Sequence, residues 1–264
     1  MQDRTPNSLS ILPTERETLI NFELTLCSHR GAAPETIGCI ERFRLSTKLI
    51  YYLAVYAGDA LLSRNRSIAC SHFLENNFAP YMVFLDDDII FTAKHLEKIH
   101  QDLADGYDVV GGAYPVRDGS QLASFGWGGQ VVFDASIQEI EYLATGFMGI
   151  SRRALIKIRD ELKLPLLNPN DWSKCYPFFE CGRCTERKGD PIYISEDWDF
   201  CEKARKVGLK VYLDTAVQVN HLGSKQYGIA DIMEAEKKRQ EKVEGVKDGG
   251  VTPLQIRQEI KTED

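Results

Sequence analysis

The sequence predicts a mixed α/β fold in which a mostly parallel sheet is flanked by helices. The first observation is an alternation of strand-like and helix-like segments, strand-helix-strand-helix-strand, over residues 22–85. The second is an apolar segment, residues 81–85, that ends in three consecutive carboxylates, Asp86, Asp87 and Asp88. Ligands of such sheets bind beyond the carboxyl ends of the strands, so these acids are expected at the substrate edge.

The first half of the chain supplies the alternating elements. The segment FELTLCS, which begins at Phe22, alternates as a strand, and LIYYLAVYAG is rich in aromatic and β-branched residues and ends as a strand at Gly58. A further strand, DVVGGAYP, is predicted at residues 108–115. Helical spacing of apolar residues predicts helices over residues 34–48, 60–76 and 92–105.

The second half is more varied. Residues 121–141 are rich in glycine and aromatic residues and alternate, which predicts antiparallel strands or a hairpin laid over the sheet. Ser195 is a natural N-cap and Gly208 a natural stop for a helix between them. The other predicted elements are a turn at 144–147, a helix over 151–162, an irregular segment over 164–191, strands at 210–214 and 217–221, and a helix over 229–242.

Length and composition indicate an ordinary globular protein. The chain has 264 residues, of which 43% are hydrophobic and 27% charged. We expect a flexible arm at residues 1–20, a catalytic domain over 21–224, and a C-terminal helix with a polar tail over 225–264. The net charge of -7 makes nucleic acid an unlikely partner, because binding to phosphate backbones requires cationic surface.

The sequence also bears on the cellular compartment. No apolar run approaches the ~20 residues of a membrane span, and the first ten residues lack the apolar centre of a signal peptide. Seven cysteines, an odd number, do not suggest a disulfide framework. We therefore expect a cytoplasmic protein without a membrane span.

The three aspartates have two interpretations. Like charges at the end of an apolar strand repel one another, and a divalent cation such as Mg²⁺ or Mn²⁺ would relieve the repulsion. The alternative is a solvated acidic turn that precedes the helix near Thr92. Because alternate residues of an extended segment point the same way, Asp86 and Asp88 are expected to act together while Asp87 points elsewhere.

Two further clusters of charge lie near the predicted substrate edge. Arg64 and Arg66 flank Asn65, and guanidinium groups suit phosphate oxygens. Taken alone, these residues are better explained by a solvated helix face, since exposed arginine is routine. Glu196 and Asp197 open the helix after Ser195, where acids are also favoured by the helix dipole.

Four cysteines near the second acidic cluster raise the possibility of zinc. Cys181 and Cys184 form a CxxC pair, with Cys175 upstream and Cys201 downstream. Their spacing is irregular and Cys201 falls within a predicted helix, so buried or free thiols are the preferred interpretation.

Four separated motifs occur in a characteristic order. They are the strand end FLDDD, the turn at 144–147, the helix SEDWDFCEKARKVG, and the closing segment from Asp214 to His221-Leu222-Gly223. Together they resemble a GT-A-fold glycosyltransferase, and they are most similar to family 2, a large inverting group. The resemblance covers about residues 22–223 and implies the nucleotide-diphospho-sugar transferase fold, a mostly parallel Rossmann-like sheet with flanking helices and a small antiparallel sheet.

The resemblance also implies roles for individual residues. Asp86 and Asp88 match the DXD motif, in which the first acid faces the nucleotide ribose and metal and the second binds the metal. His221 matches a histidine that closes the metal and diphosphate site from the C-terminal side. Asp197 matches the general base of the xED motif, with Glu196 beside it. The nucleotide base and diphosphate would be held by Ser28, His29, Arg30, Arg64, Asn65, Arg66 and Asp87, and the sugar and acceptor pocket lined by Thr145, Gly146, Phe147 and Trp198.

The function that follows is a metal-dependent inverting transfer of a sugar to an acceptor hydroxyl of a glycan or another molecule. The implied cofactors are Mn²⁺ or Mg²⁺ and a nucleotide-sugar, with a UDP-sugar favoured and a GDP-sugar possible. One alternative is a nucleotidyltransferase-like enzyme, but residues 27–34 contain one glycine and no lysine and so lack a phosphate loop. Another is a non-catalytic carbohydrate- or nucleotide-binding module of the same fold.

Overall fold

The computed structural model describes residues 20–76, 79–184 and 192–244. The strands are β1 (Phe22–Ser28), β2 (Tyr51–Ala57), β3 (Tyr81–Asp86), β4 (Ile89–Ile90), β5 (Val109–Ala113), β6 (Ile137–Glu139), β7 (Phe147–Ser151), β8 (Gly182–Cys184), β9 (Ile192–Ile194), β10 (Tyr212–Gln218), β11 (Asn220–Leu222) and β12 (Gln226–Tyr227). The helices are α1 (Pro34–Ser46), α2 (Leu62–Asn76), α3 (Ala93–Ala104), α4 (Arg152–Glu161), α5 (Glu196–Lys206) and α6 (Ile229–Glu244), with a short 3₁₀ turn at Trp127–Gly129.

A seven-stranded sheet with the order β2-β1-β3-β7-β5-β10-β6 forms the centre of the fold. The strands β2, β1 and β3 are parallel neighbours, as are β5 and β10, whereas β7 and β6 run against their neighbours. Five of these seven strands therefore share one direction. A small antiparallel sheet has the order β12-β11-β4. The predicted α/β class, with a mostly parallel sheet, flanking helices and a small antiparallel sheet, is confirmed to this extent.

Two hydrophobic cores lie on opposite faces of the large sheet. The alternation of β3 divides its side chains between them, since Met82 and Phe84 belong to one core and Val83 and Leu85 to the other. The first core is covered by α2, α4 and α5, and the second by α1 and α3. This layering leaves the carboxyl ends of β1, β3, β5 and β10 together at one edge of the sheet.

The structure differs from the sequence predictions in several segments. For example, β10 runs across the gap expected between strands at 210–214 and 217–221, and β8 lies within the segment expected to be irregular. A strand, β7, lies between the turn at 144–147 and α4, and it inserts antiparallel between β3 and β5. All five of its residues are buried, so the strand has no alternating pattern by which to recognise it. Residues 121–141 do not form a hairpin over the sheet, because only β6 forms a strand there and it extends the large sheet beside β10.

A buried group of charges links α3 to β10. Asp102 of α3 and Asp214 of β10 are both fully buried, and Lys98 contacts both carboxylates. Burial and the neighbouring Asp214 raise the pKa of Asp102 from 3.8 to about 7, against the opposing effect of Lys98. One lysine therefore serves two buried carboxylates, and Asp102 tends to keep its proton.

Parts of the predicted organisation fall outside the described residues. These are the N-terminal arm before Ile20 and the polar tail after Glu244, together with residues 185–191 of the irregular segment. Within the described residues, no helix is both long enough and apolar enough to cross a membrane.

Candidate active site

The polar edge of the sheet contains the carboxyl ends of β1 and β3 and the beginning of β7. Cys27 near the end of β1 pairs in register with Asp86, the last residue of β3. The backbone N–H of Asp86 donates to the carbonyl of Gly146, which immediately precedes β7. Because β7 runs against its neighbours, its beginning lies at the same edge as the ends of β3 and β5, and it brings Thr145 and Gly146 beside the acids.

Asp86 is held by a buried arginine. Arg66 of α2 is only 3% exposed, and it donates from Nη2 to Asp86 Oδ1 at 2.7 Å and from Nη1 to Glu196 Oε1 at 2.7 Å. One guanidinium thus joins the end of β3 to the first residue of α5. Glu196, predicted as part of the catalytic pair, is occupied with this contact.

The other two residues of the predicted arginine cluster are paired with protein groups as well. Arg64 forms a two-pronged contact with Asp59, at 2.7 and 2.9 Å, and Asn65 is buried and donates to the carbonyl of Tyr56 at 3.0 Å. The predicted diphosphate clamp of Arg64, Asn65 and Arg66 is therefore not what the structure presents. Guanidinium groups bind carboxylates and phosphates by the same geometry, and here carboxylates are the partners.

The three aspartates have three different sets of partners. Asp87 and Asp88 form a turn between β3 and β4, so the alternation expected of an extended segment does not apply to them. Asp87 accepts a hydrogen bond from Ser28 Oγ at 2.7 Å, and its carbonyl accepts one from the N–H of Ala33 at 2.8 Å. Asp86 and Asp88 have partners on different elements, Arg66 for the first and Arg117 with His221 for the second, whereas Asp87 points elsewhere, toward the loop after β1.

Asp87 organises the loop after β1. Ser28 is buried, and its hydroxyl both donates to Asp87 and accepts from the N–H of Gly31 at 2.7 Å. His29 and Arg30, which follow it, are exposed at the carboxyl end of β1. Of the predicted nucleotide contacts in this loop, His29 and Arg30 have accessible side chains and Ser28 has a structural role.

Asp88 faces two cationic groups from later parts of the chain. Its Oδ2 lies 2.5 Å from Arg117 Nη2, and its Oδ1 lies 3.2 Å from His221 Nε2. The small antiparallel sheet fixes this arrangement, because His221 is in register with Ile89 and the N–H of Leu222 donates to the Asp88 carbonyl at 2.9 Å.

The environment of Asp88 favours its charged form. Burial alone would raise the pKa of Asp88, but the contact with His221 and the positive charges of His221 and Arg117 lower it. Burial opposes protonation of His221, but the contact with Asp88 and the Pro115 carbonyl raise the pKa of this imidazole above its usual value. The two groups thus stabilise each other's charges.

The residues around Asp88 fit one side of a divalent-cation site. Asp88 Oδ1 is buried and lies 3.2 Å from His221 Nε2. His221 Nδ1 lies 2.8 Å from the carbonyl of Pro115, which can only accept, so Nδ1 carries a hydrogen and Nε2 faces Asp88. A histidine oriented by a backbone carbonyl is the usual arrangement of a metal-binding imidazole.

The site is not a complete protein cage for a metal ion. The described part of the chain contains no group of three or more His, Cys, Asp or Glu side chains placed to hold one. Asp86 Oδ1 is engaged by Arg66, which leaves Oδ2 as the oxygen of Asp86 that faces Gly146 at the site. Mg²⁺ is typically held by one or two protein carboxylates, with water and substrate phosphate as its other ligands, and the Asp88–His221 pair fits that pattern.

Asp197 occupies a different electrostatic environment. It lies in the first turn of α5, where its Oδ1 accepts from Ser195 Oγ and from the N–H of Trp198 at 2.9 Å. Burial and the neighbouring Glu196 raise the pKa of Asp197, against the opposing effects of Ser195, Arg66 and the Trp198 N–H. Ser195 occupies the N-cap position without making a side-chain capping bond, since its hydroxyl serves Asp197 instead.

Tyr114 lies at the centre of the site and was not identified from the sequence. It follows β5, is 4% exposed, and its Oη accepts the N–H of Gly146 at 2.7 Å. Burial and the charges of Asp86 and Asp197 raise its pKa well above the usual value, against the opposing charge of Arg66. Its ring also meets His221 edge-on, with centroids 5.6 Å apart. Its position at the end of a predicted strand was the one available signal.

The predicted sugar and acceptor residues divide into two groups. Gly146 lies at the site, since a Cβ there would come 2.5 Å from Tyr114 Oη and 3.0 Å from Asp86 Oδ2. Thr145 is buried beside it, and its hydroxyl has no partner among the described residues. Phe147 is a core residue without exposed surface, and Trp198 stacks on Tyr142 with ring centroids 4.1 Å apart.

Among the described side chains, the cysteines near α5 are not gathered into a metal site. Cys201 is fully buried in α5 and its sulfur accepts the N–H of Leu143, whereas Cys181 is exposed and contacts Glu196. Cys175 is buried in the irregular segment, and the side chain of Cys184 lies outside the described residues. The positions of Cys175, Cys181 and Cys201 agree with the preferred interpretation of buried or free thiols.

Comparison with known proteins gives a likeness of fold. No family model matches the chain, and no curated protein is significantly similar to it. Among solved structures, the crystal structure of A197 from STIV has a similar fold, with a TM-score of 0.50 and 19% sequence identity. The match covers 76% of this chain and 85% of A197. At this level of identity the likeness concerns the fold alone.

Proposed function

We propose that the chain is a metal-dependent inverting glycosyltransferase of the GT-A fold, which moves a sugar from a nucleotide-sugar to an acceptor hydroxyl. One observation carries the proposal: at one sheet edge, Asp88 faces the imidazole of His221, which Pro115 orients, while Asp197 at the start of α5 is fixed by Ser195 and the Trp198 N–H. In agreement with two separate roles, the pKa values of these aspartates are displaced in opposite directions, Asp88 downward and Asp197 upward. Opposite displacements separate a carboxylate that binds charge from one that exchanges a proton. The order of the sequence motifs and the α/β architecture also support it.

Asp197 is suited to the proton transfer that such a reaction needs. The acceptor oxygen forms a bond to the anomeric carbon as the bond from that carbon to the nucleoside diphosphate breaks, and the leaving diphosphate takes the electron pair. The hydroxyl proton passes to Asp197, and a carboxylate with a raised pKa is a stronger base for this step. Ser195 and the Trp198 N–H fix the orientation of this carboxylate by bonds to Oδ1.

Asp88 and His221 would hold the divalent cation, Mn²⁺ or Mg²⁺. A bound cation would neutralise negative charge on the diphosphate leaving group. His221 is oriented for this role by Pro115, and Asp88 presents its buried Oδ1. We expect a UDP-sugar as donor, with a GDP-sugar as the second choice, and exposed His29 and Arg30 are accessible to it at the adjacent strand end.

The proposal is tested by separating binding from transfer. In a thermal-shift screen of nucleotide-sugars, the cognate donor should raise the melting temperature with Mn²⁺ present and lose this effect in excess EDTA. Asp197→Asn should keep donor KM within about threefold and lower kcat by roughly 10²–10⁴-fold, as expected for loss of a general base. NMR of the product should show inversion at the anomeric carbon.

The control is Asp134→Asn, which changes an exposed aspartate before β6 and should leave both donor binding and transfer unchanged. Normal transfer by Asp197→Asn would contradict the role of base. Donor binding without transfer to any acceptor would support the non-catalytic binding module instead.

A further inference from the structure

Arg117 is the one partner of Asp88 whose side chain is largely in solvent. Its side chain is 69% exposed, whereas that of Asp88 is 13% exposed, and Nη2 lies 2.5 Å from Asp88 Oδ2. The other arginine–carboxylate contact of the site is different in kind, because Arg66 is buried between Asp86 and Glu196. An ion pair with one partner in solvent is more readily exchanged than a pair in which the arginine is buried, because breaking a buried pair is costly. Of the two arginines, Arg117 is therefore the one free to change partner.

The backbone beneath Arg117 is held firmly while its side chain is not. Val116 forms two hydrogen bonds across the short loop, both of 2.9 Å. Its N–H donates to the carbonyl of Gln121, and its carbonyl accepts from the N–H of Gly119. The carbonyl of Arg117 packs so closely on Gly223 that a Cβ there would lie 2.0 Å away. The guanidinium can thus move from one partner to another without leaving the neighbourhood of Asp88.

We propose that Arg117 is a diphosphate-binding residue that exchanges Asp88 for the donor diphosphate when the cation binds. The inference rests on the proposed function. With Asp88 engaged by a cation, Arg117 would be left beside a second positive charge, and a diphosphate is the ligand that relieves this repulsion. Arginine donates to phosphate oxygens in the same forked geometry that it uses toward carboxylates.

The exchange has a thermodynamic consequence. Arg117 competes with the cation for Asp88 when no nucleotide is present, and it assists nucleotide binding once the cation is in place. Cation and nucleotide should therefore bind the wild-type protein cooperatively, each increasing the affinity of the other by the same factor. Direct neutralisation of the diphosphate by the cation also contributes to this coupling, so the role of Arg117 is shown by a smaller coupling factor when Arg117 is removed.

The test is isothermal titration of Arg117→Gln and wild-type protein with Mn²⁺ alone, with UDP alone, and with UDP in saturating Mn²⁺. GDP is titrated in parallel. We expect the variant to bind Mn²⁺ alone several-fold more tightly, since a competitor for Asp88 is removed. We expect it to bind the nucleotide in saturating Mn²⁺ roughly 10- to 100-fold more weakly, since a charge-assisted contact to phosphate is lost.

A matched control is Arg153→Gln. Arg153 is 67% exposed and lies 2.5 Å from Asp108, which precedes β5 at the opposite edge of the sheet. The Arg153→Gln variant should bind Mn²⁺ alone, UDP alone and UDP in saturating Mn²⁺ with wild-type affinity. Wild-type nucleotide affinity in Arg117→Gln with saturating Mn²⁺ would overturn the role of Arg117 alone. Failure of the wild-type protein to bind Mn²⁺ with either nucleotide would overturn the proposed function itself, and this inference with it.

Discussion

Three consecutive aspartates with the same chemistry have three different partners in this protein. Asp86 is neutralised by Arg66, Asp87 accepts a hydroxyl bond from Ser28, and Asp88 lies between Arg117 and His221. The turn at Asp87 and Asp88 creates these differences, because it directs neighbouring side chains to different elements. Repulsion among the acids is reduced by separate cations and donors, and the buried Oδ1 of Asp88 faces the imidazole of His221.

Gly146 is expected to tolerate no side chain. In Gly146→Ala, the added Cβ would meet Tyr114 Oη at 2.5 Å and Asp86 Oδ2 at 3.0 Å. Overpacking of this kind costs ~1–3 kcal/mol, and the free energy of unfolding in urea should fall by that amount. Tyr114, whose ring contacts His221, would be displaced as well, and this should weaken Mn²⁺-dependent nucleotide binding, measured by isothermal titration.

Two variants test whether the clash of the added Cβ causes the loss of stability in Gly146→Ala. Gly146→Ala combined with Tyr114→Phe removes the nearest clashing atom and should recover part of the lost stability. Gly182→Ala, where a Cβ would meet nothing within 4 Å, should have little effect. If Gly146→Ala is as stable as the Gly182 control, the close contact with Tyr114 is not important.

The sequence identified the residues of the site better than their contacts. The acids and His221 lie at strand ends or helix starts, and the parallel sheet brings such positions to one edge. The partners of Arg66 could not be predicted, because the same guanidinium suits a phosphate or two carboxylates and only long-range packing decides between them. Arg117 gave no signal, since it lies in a loop without periodicity.

At the scale of elements, Arg66 joins three of them. It belongs to α2 and contacts the end of β3 through Asp86 and the start of α5 through Glu196. Its Nε has no hydrogen-bond partner among the described residues, so these two contacts account for its charge. The acid that ends β3 and the helix that carries Asp197 are thus set relative to each other by one side chain.

Arg66→Met should destabilise the protein strongly, because it leaves two largely buried carboxylates without their shared cation. Removing one member of a buried ionic group typically costs ~3–5 kcal/mol, and urea unfolding should report a loss of this size. The control is Arg44→Met, which removes an exposed pair with Glu41 and should cost at most ~1 kcal/mol. Equal losses in the two variants would mean that the Arg66 bridge contributes no more than a surface pair.

The elements that the sequence missed are those defined by distant partners. The strand β7 is short and entirely buried, and its reversed direction depends on pairing with β3 and β5 rather than on its own residues. The strands β1 and β3 and the helix α5 were predicted nearly to the residue, because their apolar pattern and boundary residues are local features. Local signals therefore supplied most of the sheet, and long-range pairing supplied the strand that carries Gly146 to the site.

For the molecule as a whole, the buried group of Lys98, Asp102 and Asp214 should make stability depend on pH. The pKa of Asp102 is raised from 3.8 in the unfolded chain to about 7, so the folded state binds the extra proton between these values. Its contribution is fully present below pH 3.8 and is lost as the pH rises toward about 7, with no further change above it.

Asp102→Asn removes this dependence while keeping a polar side chain of the same size. Relative to wild type, the free energy of unfolding of the variant should increase by at least ~1.4 kcal/mol between about pH 5 and about pH 8, the equivalent of one pKa unit. Urea unfolding at the two pH values measures this difference. The control is Asp105→Asn, at the exposed end of α3, whose free energy of unfolding should differ from that of wild type by the same amount at both pH values. If Asp102→Asn also differs from wild type by the same amount at both, Asp102 is not the source of the pH dependence.

The Arg66 bridge also has a consequence for the order in which the protein is made. Arg66 and Glu196 are separated by 130 positions, which a ribosome takes on the order of 10 s to translate. During this interval α2 can pack against β3, but the guanidinium of Arg66 has only Asp86 as a partner, because Glu196 has not yet been made. The contact of Asp88 with His221 likewise forms only after His221 has been made. The candidate site therefore cannot mature with the first half of the sheet, and it becomes complete only when the last strands have left the ribosome.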